Sequence, residues 1–322
     1  MKPIIISALA AAGAFAAAAP ALAQNWPERS IRLIVPFPAG GPNDIIARVL
    51  SQKMSELLGQ SIIIDNRGGA GGVTGTDAVA KAAPDGYTIG VTSLGALAIA
   101  SSIQKVPYHS TKGLTPVTLV ARVPELLVTP AGMDIRSIAD LVKIAKANPA
   151  AMNYASTGPG GLPHLAAELL KSVAGFDAAH VPYKGAAPAV NDLVAGRMQF
   201  MFADIPVLMP HVLSGKLRAL AVGSKQRAPA MPDVPTTAEL GLPKVEAENW
   251  YGMVAPAALP PAILARLHKS AVEALNDEAI KNKLGAQGAV LVPQQPEEFA
   301  AFIEAETAKW AAVARQAGFP AP

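Results

Sequence analysis

Cysteine is absent from all 322 residues. That excludes a disulfide framework, thiolate metal ligands and a cysteine nucleophile. A charge excess is missing too: 27 Lys and Arg stand against 24 Asp and Glu, for a formal +3. No Lys/Arg run of the kind that grips nucleic acid or an anionic membrane surface occurs. Enzyme signatures are also wanting. There is no G-x-x-x-x-G-K-[ST] phosphate loop, and Gly69-Ala70-Gly71-Gly72-Val73-Thr74 lacks the last glycine of a dinucleotide fingerprint. Tyr154-Ala155-Ser156-Thr157-Gly158 lacks the first glycine of a nucleophile elbow. None of the five histidines, His109, His164, His180, His211 and His268, pairs at H-x-x-x-H spacing, which argues against a zinc or iron centre.

What is present begins with a leader. Lys2, the apolar and small-residue run Ile4 to Ala19, and Ala21-Leu22-Ala23 read as a secretory signal peptide, residues 1–23, cut before Gln24. The run is shorter than the roughly 20 residues a spanning helix needs. Later apolar stretches are broken by Pro, Gly or charge, so the mature chain reads as exported and soluble. Roughly 300 residues remain, which fits two domains better than one. The 29 prolines and 27 glycines are spread along the chain, as at the many element boundaries of an α/β protein.

The stretch Ile31–Leu58 organises the rest. Ile31-Arg32-Leu33-Ile34-Val35 has strand length and composition. A turn follows from Pro36 to Asn43, then apolar residues at helical spacing (Ile46, Leu50, Met54, Leu57), with Gly59 as the stop. A helix start fed by a glycine turn offers unpaired N–H groups and the positive end of a dipole, and so binds an anion without a charged side chain. A second strand, Ser61–Asp65, runs into a second glycine turn ending at Gly75, and a third strand spans Tyr87–Thr92. Leu114–Ala121 and Leu126–Thr129 read as two strands separated by Arg122-Val123-Pro124-Glu125. The motif then repeats: strand Met152–Ser156, glycine turn Thr157–Pro163, helix His164–Val173. Strands alternating with helices predict a mostly parallel sheet with right-handed crossovers. Three helices close the chain, over 261–275, 277–284 and 297–317, and are expected to pack back on the first lobe. The chain is expected to leave that lobe near Val123 and return near Glu248.

The two glycine turns, one per lobe, suit a small carboxylate in a shared cleft. Other candidates carry two readings each. His164, in the first turn after the second-lobe loop, either donates to a ligand as a neutral imidazole or caps the turn. Phe37 either floors the cleft or staples its loop. Ser93, Ser156 and Thr157 lie at strand ends, where open α/β sheets bind ligands, or serve ordinary turn chemistry. Asp44 complements the dipole of the first helix. Asp204 either accepts from ligand hydroxyls or water, or caps the next helix. Trp250-Tyr251 reads as core or hinge packing. A secreted serine hydrolase using Ser156 and His164 is the enzymatic alternative.

A set of motifs, in order along nearly the whole mature chain, resembles the solute receptors of tripartite tricarboxylate transporters, also called Bug proteins. They are Pro36-Phe37-Pro38-Ala39-Gly40-Gly41-Pro42-Asn43-Asp44, Asp65-Asn66-Arg67 with the glycines to Gly75, and Pro84-Asp85-Gly86-Tyr87-Thr88. To these are added Asn153-Tyr154-Ala155-Ser156-Thr157-Gly158, His164-Leu165-Ala166-Ala167-Glu168-Leu169 and His180-Val181-Pro182-Tyr183-Lys184-Gly185. Pro232-Asp233-Val234-Pro235-Thr236 and Trp250-Tyr251-Gly252 complete the set.

The resemblance implies an α/β, two-lobed type II periplasmic binding protein (Venus flytrap) with a mostly parallel sheet in each lobe. Residues 24–123 and 248–322 would form lobe 1, and 124–247 lobe 2. It implies a binding protein rather than an enzyme, located in the periplasm. Such a protein captures a small carboxylate and hands it to integral-membrane permease subunits. It implies no cofactor or metal, no nucleic-acid partner and a monomer. The implied ligand contacts are Phe37, Ala39 and Gly40 in one lobe, and Ser156, Thr157, Gly158, Gly161, His164 and Asp204 in the other, with Ser93 added. A ligand-capturing accessory of a membrane sensor shares these features. The sequence departs from the pattern at Asn43, where Thr is usual, at Ala96-Leu97-Ala98-Ile99, which is more apolar than usual, and at His109 and Lys112-Gly113. An apolar lining at the second of these would favour an aromatic or aliphatic acid over citrate.

Overall fold

The computed structural model describes residues 25–316 and 318–319; the leader segment lies outside them. Strand β1 (Ile31–Val35) sits between β2 (Ile62–Asn66) and β3 (Thr88–Ser93), parallel to both. Helix α1 (Pro42–Leu58) starts from Gly41 as N-cap with Pro42 in its first turn. It ends on Gly59 in the left-handed conformation that glycine adopts without strain, φ 71°. Its inward face is Ile46, Val49, Leu50 and Met54, at the spacing of one helical stripe. A 3₁₀ turn, Ala70–Gly72, leads into α2 (Val73–Ala80). After β3 a π-helical turn, Gly95–Ile99, runs into the short α3 (Ala100–Ile103).

Strand β4 (Leu114–Pro130) is a single 17-residue strand, where the sequence suggested two. The expected gap, Arg122-Val123-Pro124-Glu125, contains a proline, which lacks a donor. Here the strand changes partners at that point and needs no interruption. Up to Pro124 it pairs with β9 (Glu248–Pro256); from Glu125 it pairs with β7 (Phe200–Asp204) and β8 (Leu217–Val222). Between these lie α4 (Ile138–Ala147), β5 (Asn153–Ser156), α5 (Leu162–Ala174), β6 (Ala179–Pro182), α6 (Ala186–Val194) and α7 (Ile205–Leu213). Helix α4 opens on Ser137, whose hydroxyl caps it by accepting from the Asp140 amide at 3.1 Å.

The strand order is β2-β1-β3-β9-β4-β7-β5-β6, with β8 and the short β10 (Val290–Leu291) also on β4. The flanking triplets are parallel, as expected; the strands through the middle run antiparallel. The α/β architecture is thus one curled sheet whose two halves share β4.

Helices α8 (Pro261–Asn276) and α9 (Glu278–Gly285) bury Leu267, Ala271, Leu275 and Ile280 with Leu50 and Met54 of α1. Helix α10 (Pro296–Gln316) reaches further. Its Phe299, Ile303 and Trp310 share one apolar cluster with Leu97 and Ile99 on one side and Tyr154, Leu165 and Phe200 on the other. Trp250 lies edge-on to both Phe299 and Phe302. Among the described residues, no helix is long and apolar enough to cross a membrane.

Candidate functional site

Parallel strands deliver their C-terminal ends to one edge of the sheet, and the helices that follow start there. Three of those starts meet in one cavity. The turn from β1 to α1 supplies Phe37, Pro38, Ala39 and Gly41–Asn43. The turn from β5 to α5 supplies Thr157 and Gly161–Pro163. The turn from β6 to α6 supplies Gly185–Pro188. Ser93 and Gly95 close it from the end of β3, and the strands that join the halves add Glu125, Asp204, Asn249 and Tyr251. The empty space is about 630 Å³ counted out to the mouth, with the open solvent there included. Lys, Arg and His are absent from this lining.

The positive character of the cavity therefore comes from backbone. First-turn amides have no partner inside their own helix and carry the positive end of its dipole. The three ends are not equal. At α1 the Asp44 carboxylate already accepts from the Gly40 amide at 3.0 Å, from Asn66 at 2.9 Å and from Arg48 at 2.9 Å. Burial works against its charge, but those bonds outweigh burial and hold its carboxyl below the usual range. Helices α5 and α6 have no acidic residue in their first turns.

The joining strands carry the opposite character. Glu125 and Asp204 are direct partners across the β4–β7 ladder, and both are buried. Asp204 accepts from Asn249 Nδ2 at 3.2 Å and from the Tyr251 hydroxyl. Neither Glu125 oxygen meets a donor. Its hydrogen-bonding neighbour is the Asp204 carboxyl, so the contact requires a proton on one of the two. Burial first, then the Asp204 charge, raise Glu125 well above the carboxylate range. Burial pushes Asp204 up to about 7, against the bonds from Asn249 and Glu125. Both carboxyls are therefore displaced upward, and the two titrate as one pair.

Of the residues expected from the sequence, Phe37, Ala39, Ser93, Thr157, Gly161 and Asp204 come together in this cavity. Gly158 lines an adjoining recess, with Gly69–Gly71 and Tyr183. Gly40, Ser156 and His164 do not line the cavity. Gly40 gives its amide to Asp44. Ser156 is fully buried, with its hydroxyl 2.6 Å from His180 Nε2 and 3.2 Å from the Gly158 amide. His164 accepts the Gly160 amide at Nδ1, 3.2 Å, and stacks on His180 with ring centres 3.7 Å apart. Burial, then His180 and Lys171, push His164 down to about 3, which keeps it neutral, and its bond from the Gly160 amide holds the turn. A hydrolase built on Ser156 and His164 lacks support: their hydrogen bonds go to His180 and Gly160, and neither residue lines the cavity.

The apolar run Ala96–Ile99 also lies elsewhere. It is buried against α10, so it does not line the pocket as its composition suggested. The reading of the sequence missed Gly185–Pro188, Glu125, Asn249 and Tyr251. Two signals were available: Gly185 three residues before Pro188 marks a helix start, and Glu125 is an acid inside an apolar run. Among the described residues, no group of His, Asp or Glu is arranged to hold a metal ion.

The model of the family described as "Tripartite tricarboxylate transporter family receptor" matches residues 46–319. Protein BugT of Bordetella pertussis is 41% identical over 303 residues, covering 94% of this chain and 93% of that one. A protein of R. palustris solved with adipate superposes with a TM-score of 0.89 at 36% identity, covering 92% of this chain and 99% of its own. MatC of Rhodopseudomonas palustris, solved with bound malate, gives 0.86 at 33% identity, covering 89% and 99%.

Proposed function

Because this chain belongs to the tripartite tricarboxylate transporter receptor family, we propose that it captures a small organic carboxylate in the cavity described above. It does so in the periplasm and delivers the acid to membrane permease subunits. The observation that carries this reading is the convergence of the α1, α5 and α6 starts on one pocket without a basic side chain. Backbone dipoles suit a carboxylate and release it more readily than a buried salt bridge would. Malate and adipate in two relatives support the size and chemistry of the ligand.

In this reading residues 24–123 with 248–322 form one lobe and 124–247 the other. They close by a hinge on the crossing strands, and ligand stabilises the closed form by touching both. Phe37, Ala39, Ser93, Thr157, Gly161 and Asp204 contact the ligand; Gly40, Ser156, Gly158 and His164 shape the turns that do. A thermal-shift screen of mono-, di- and tricarboxylates, followed by calorimetric titration of the hits, tests the capture. A rise in unfolding temperature with at least one acid is expected, and none across the set would sink the proposal. Delivery is tested by co-purification or uptake with the permease subunits in a reconstituted membrane.

A further inference from the structure

Beneath the glycine turn after β5 lies a set of side chains that do not line the cavity. In the parallel β5–β6 pair His180 stands opposite Tyr154, and Ser156 lies two residues on from Tyr154, on the same face. The His180 ring stacks on Tyr154, with ring centres 5.0 Å apart, and on His164, at 3.7 Å. So held, its Nε2 lies 2.6 Å from Ser156 Oγ. That hydroxyl is 3.2 Å from both the amide nitrogen and the carbonyl oxygen of Gly158. Ser156 has no exposed surface, so its partners must come from the protein. A short chain of hydrogen bonds thus runs from His180 through Ser156 to the peptide joining Thr157 and Gly158. Gly158 has φ 136° and belongs to no helix or strand, so no ladder holds that peptide in place.

We propose that His180 is a positioning residue for ligand capture: its Nε2 accepts the Ser156 hydroxyl, Ser156 Oγ accepts the Gly158 amide, and the turn that carries Thr157 into the cavity is fixed from behind. This rests on the carboxylate-receptor reading above and adds to it a residue outside the pocket. The direction of the chain requires a neutral imidazole. Burial lowers the proton affinity of His180; Glu168 opposes that and Lys171 adds to it. These two charges face the ring from α5 and are paired with each other at 2.8 Å. Asp177, just before β6, lies 3.2 Å from the same Lys171, and Tyr154 donates to Glu168. A proton on His180 turns Nε2 into a donor. Ser156 then accepts from His180, and its own hydrogen turns to the Gly158 carbonyl, which the Gly161 amide also meets at 3.4 Å. Protonation outside the cavity thereby reaches the turn inside it.

Hydrogen exchange of the Gly158 amide, followed by NMR on the isotope-labelled mature chain, reads the turn without ligand. His180→Phe keeps a stacking ring and loses the acceptor; Ser156→Ala removes the link. Each should speed exchange about three- to tenfold, the worth of one hydrogen bond. The double variant should be no faster than Ser156→Ala, because His180 acts through Ser156. His180→Gln restores an acceptor that does not titrate and should lie near wild type. Across pH, the Gly158 amide signal of wild type should move with the midpoint of the His180 ring, and that movement should vanish in His180→Gln and Ser156→Ala. Adipate, the acid solved with one relative, or malate in its place, should bind about three- to tenfold more weakly to His180→Phe and recover in His180→Gln. Should His180→Phe not fold, the pH response in Ser156→Ala decides. An unchanged Gly158 amide in His180→Phe, losses that add in the double variant, a titration that survives in Ser156→Ala, or equal affinity in every variant overturns the inference. Should no carboxylate bind wild type, the receptor reading falls, while the Gly158 amide still decides whether His180 holds the turn.

Discussion

Gly71, on the turn after β2, lies against the carbonyl oxygen of Pro159, on the turn after β5: a Cβ added to Gly71 would sit 2.7 Å from that oxygen. Gly71 also has φ 64°, so a side chain there is strained in any case. Gly95 faces the Gly161 Cα more loosely, with 3.4 Å to an added Cβ. The two halves of the sheet thus meet through glycine, with backbone against backbone. Gly71→Ala should hold them apart, at a cost of about 1–3 kcal/mol in the closed form, and weaken ligand roughly tenfold to a hundredfold. Titration with a ligand from the screen and small-angle scattering measure the two effects. Unchanged affinity at an unchanged radius would show that the seam need not close.

Gly161 is the N-cap of α5, with φ −76° and ψ 162°, a conformation open to aspartate. Gly161→Asp puts a carboxylate where the ligand's own is expected. Binding should fall by at least about tenfold. Helix α5 gains a better cap, worth a few tenths of a kcal/mol, so the melting temperature should hold or rise. Gly161→Asn has the same shape without the charge and should bind more tightly than Gly161→Asp. Equal losses in the two variants would point to bulk as the cause.

Two buried groups give stability opposite dependences on pH. Asp204 is raised from 3.8 to about 7 by burial, so the folded chain holds this proton more tightly than the unfolded one. Its contribution is fully present below about pH 3.8 and is lost as pH rises through about 7. His164 is lowered from 6.5 to about 3, so its contribution is present above about pH 6.5 and lost as pH falls through about 3. Relative to wild type, unliganded Asp204→Asn should therefore gain stability between pH 4 and 7, by on the order of a few kcal/mol. His164→Phe should flatten the loss on the acid side. Denaturant titrations at stepped pH read both differences; parallel curves for wild type and Asp204→Asn would contradict the first.

On β9, Gly252 faces Phe299 of α10, and a Cβ at that position would overlap the phenyl ring. Gly252→Ala should destabilise by about 1–3 kcal/mol through overpacking. Shrinking the ring should relieve it: in Phe299→Leu the added methyl should cost clearly less than in wild type. A double-mutant cycle by chemical denaturation measures the coupling. Additive losses would mean that the two do not press on one another.

Much of this was legible beforehand because local rules agreed. In Ile31–Leu58 the strand run, the glycine turn, the helical stripe and the Gly59 stop all specify the same unit, and the structure has it. The repeat at Asn153–Ala174 was read by the same signs. What misled was tertiary. Pro124 lies in the expected gap, but a strand that changes partners there loses nothing by lacking a donor. Ser156 and Thr157 look equivalent in sequence, yet neighbouring residues at a strand end point opposite ways. Thr157 therefore meets the cavity and Ser156 meets His180. Ala96–Ile99 looked like a pocket wall because nothing local announces a helix 200 residues away. Glu125 escaped notice for a similar reason: its partner Asp204 arrives only when β7 is laid beside β4.

Strand β9 is hydrogen-bonded between β3 and β4 although it is drawn from residues 248–256. The sheet begun at Ile31 keeps an open slot until residues 248–256 have been made. Closing so wide a loop late makes folding slow. For a polypeptide proposed to leave the cytoplasm, that delay is useful: the unfinished chain stays threadable until it has passed through the membrane.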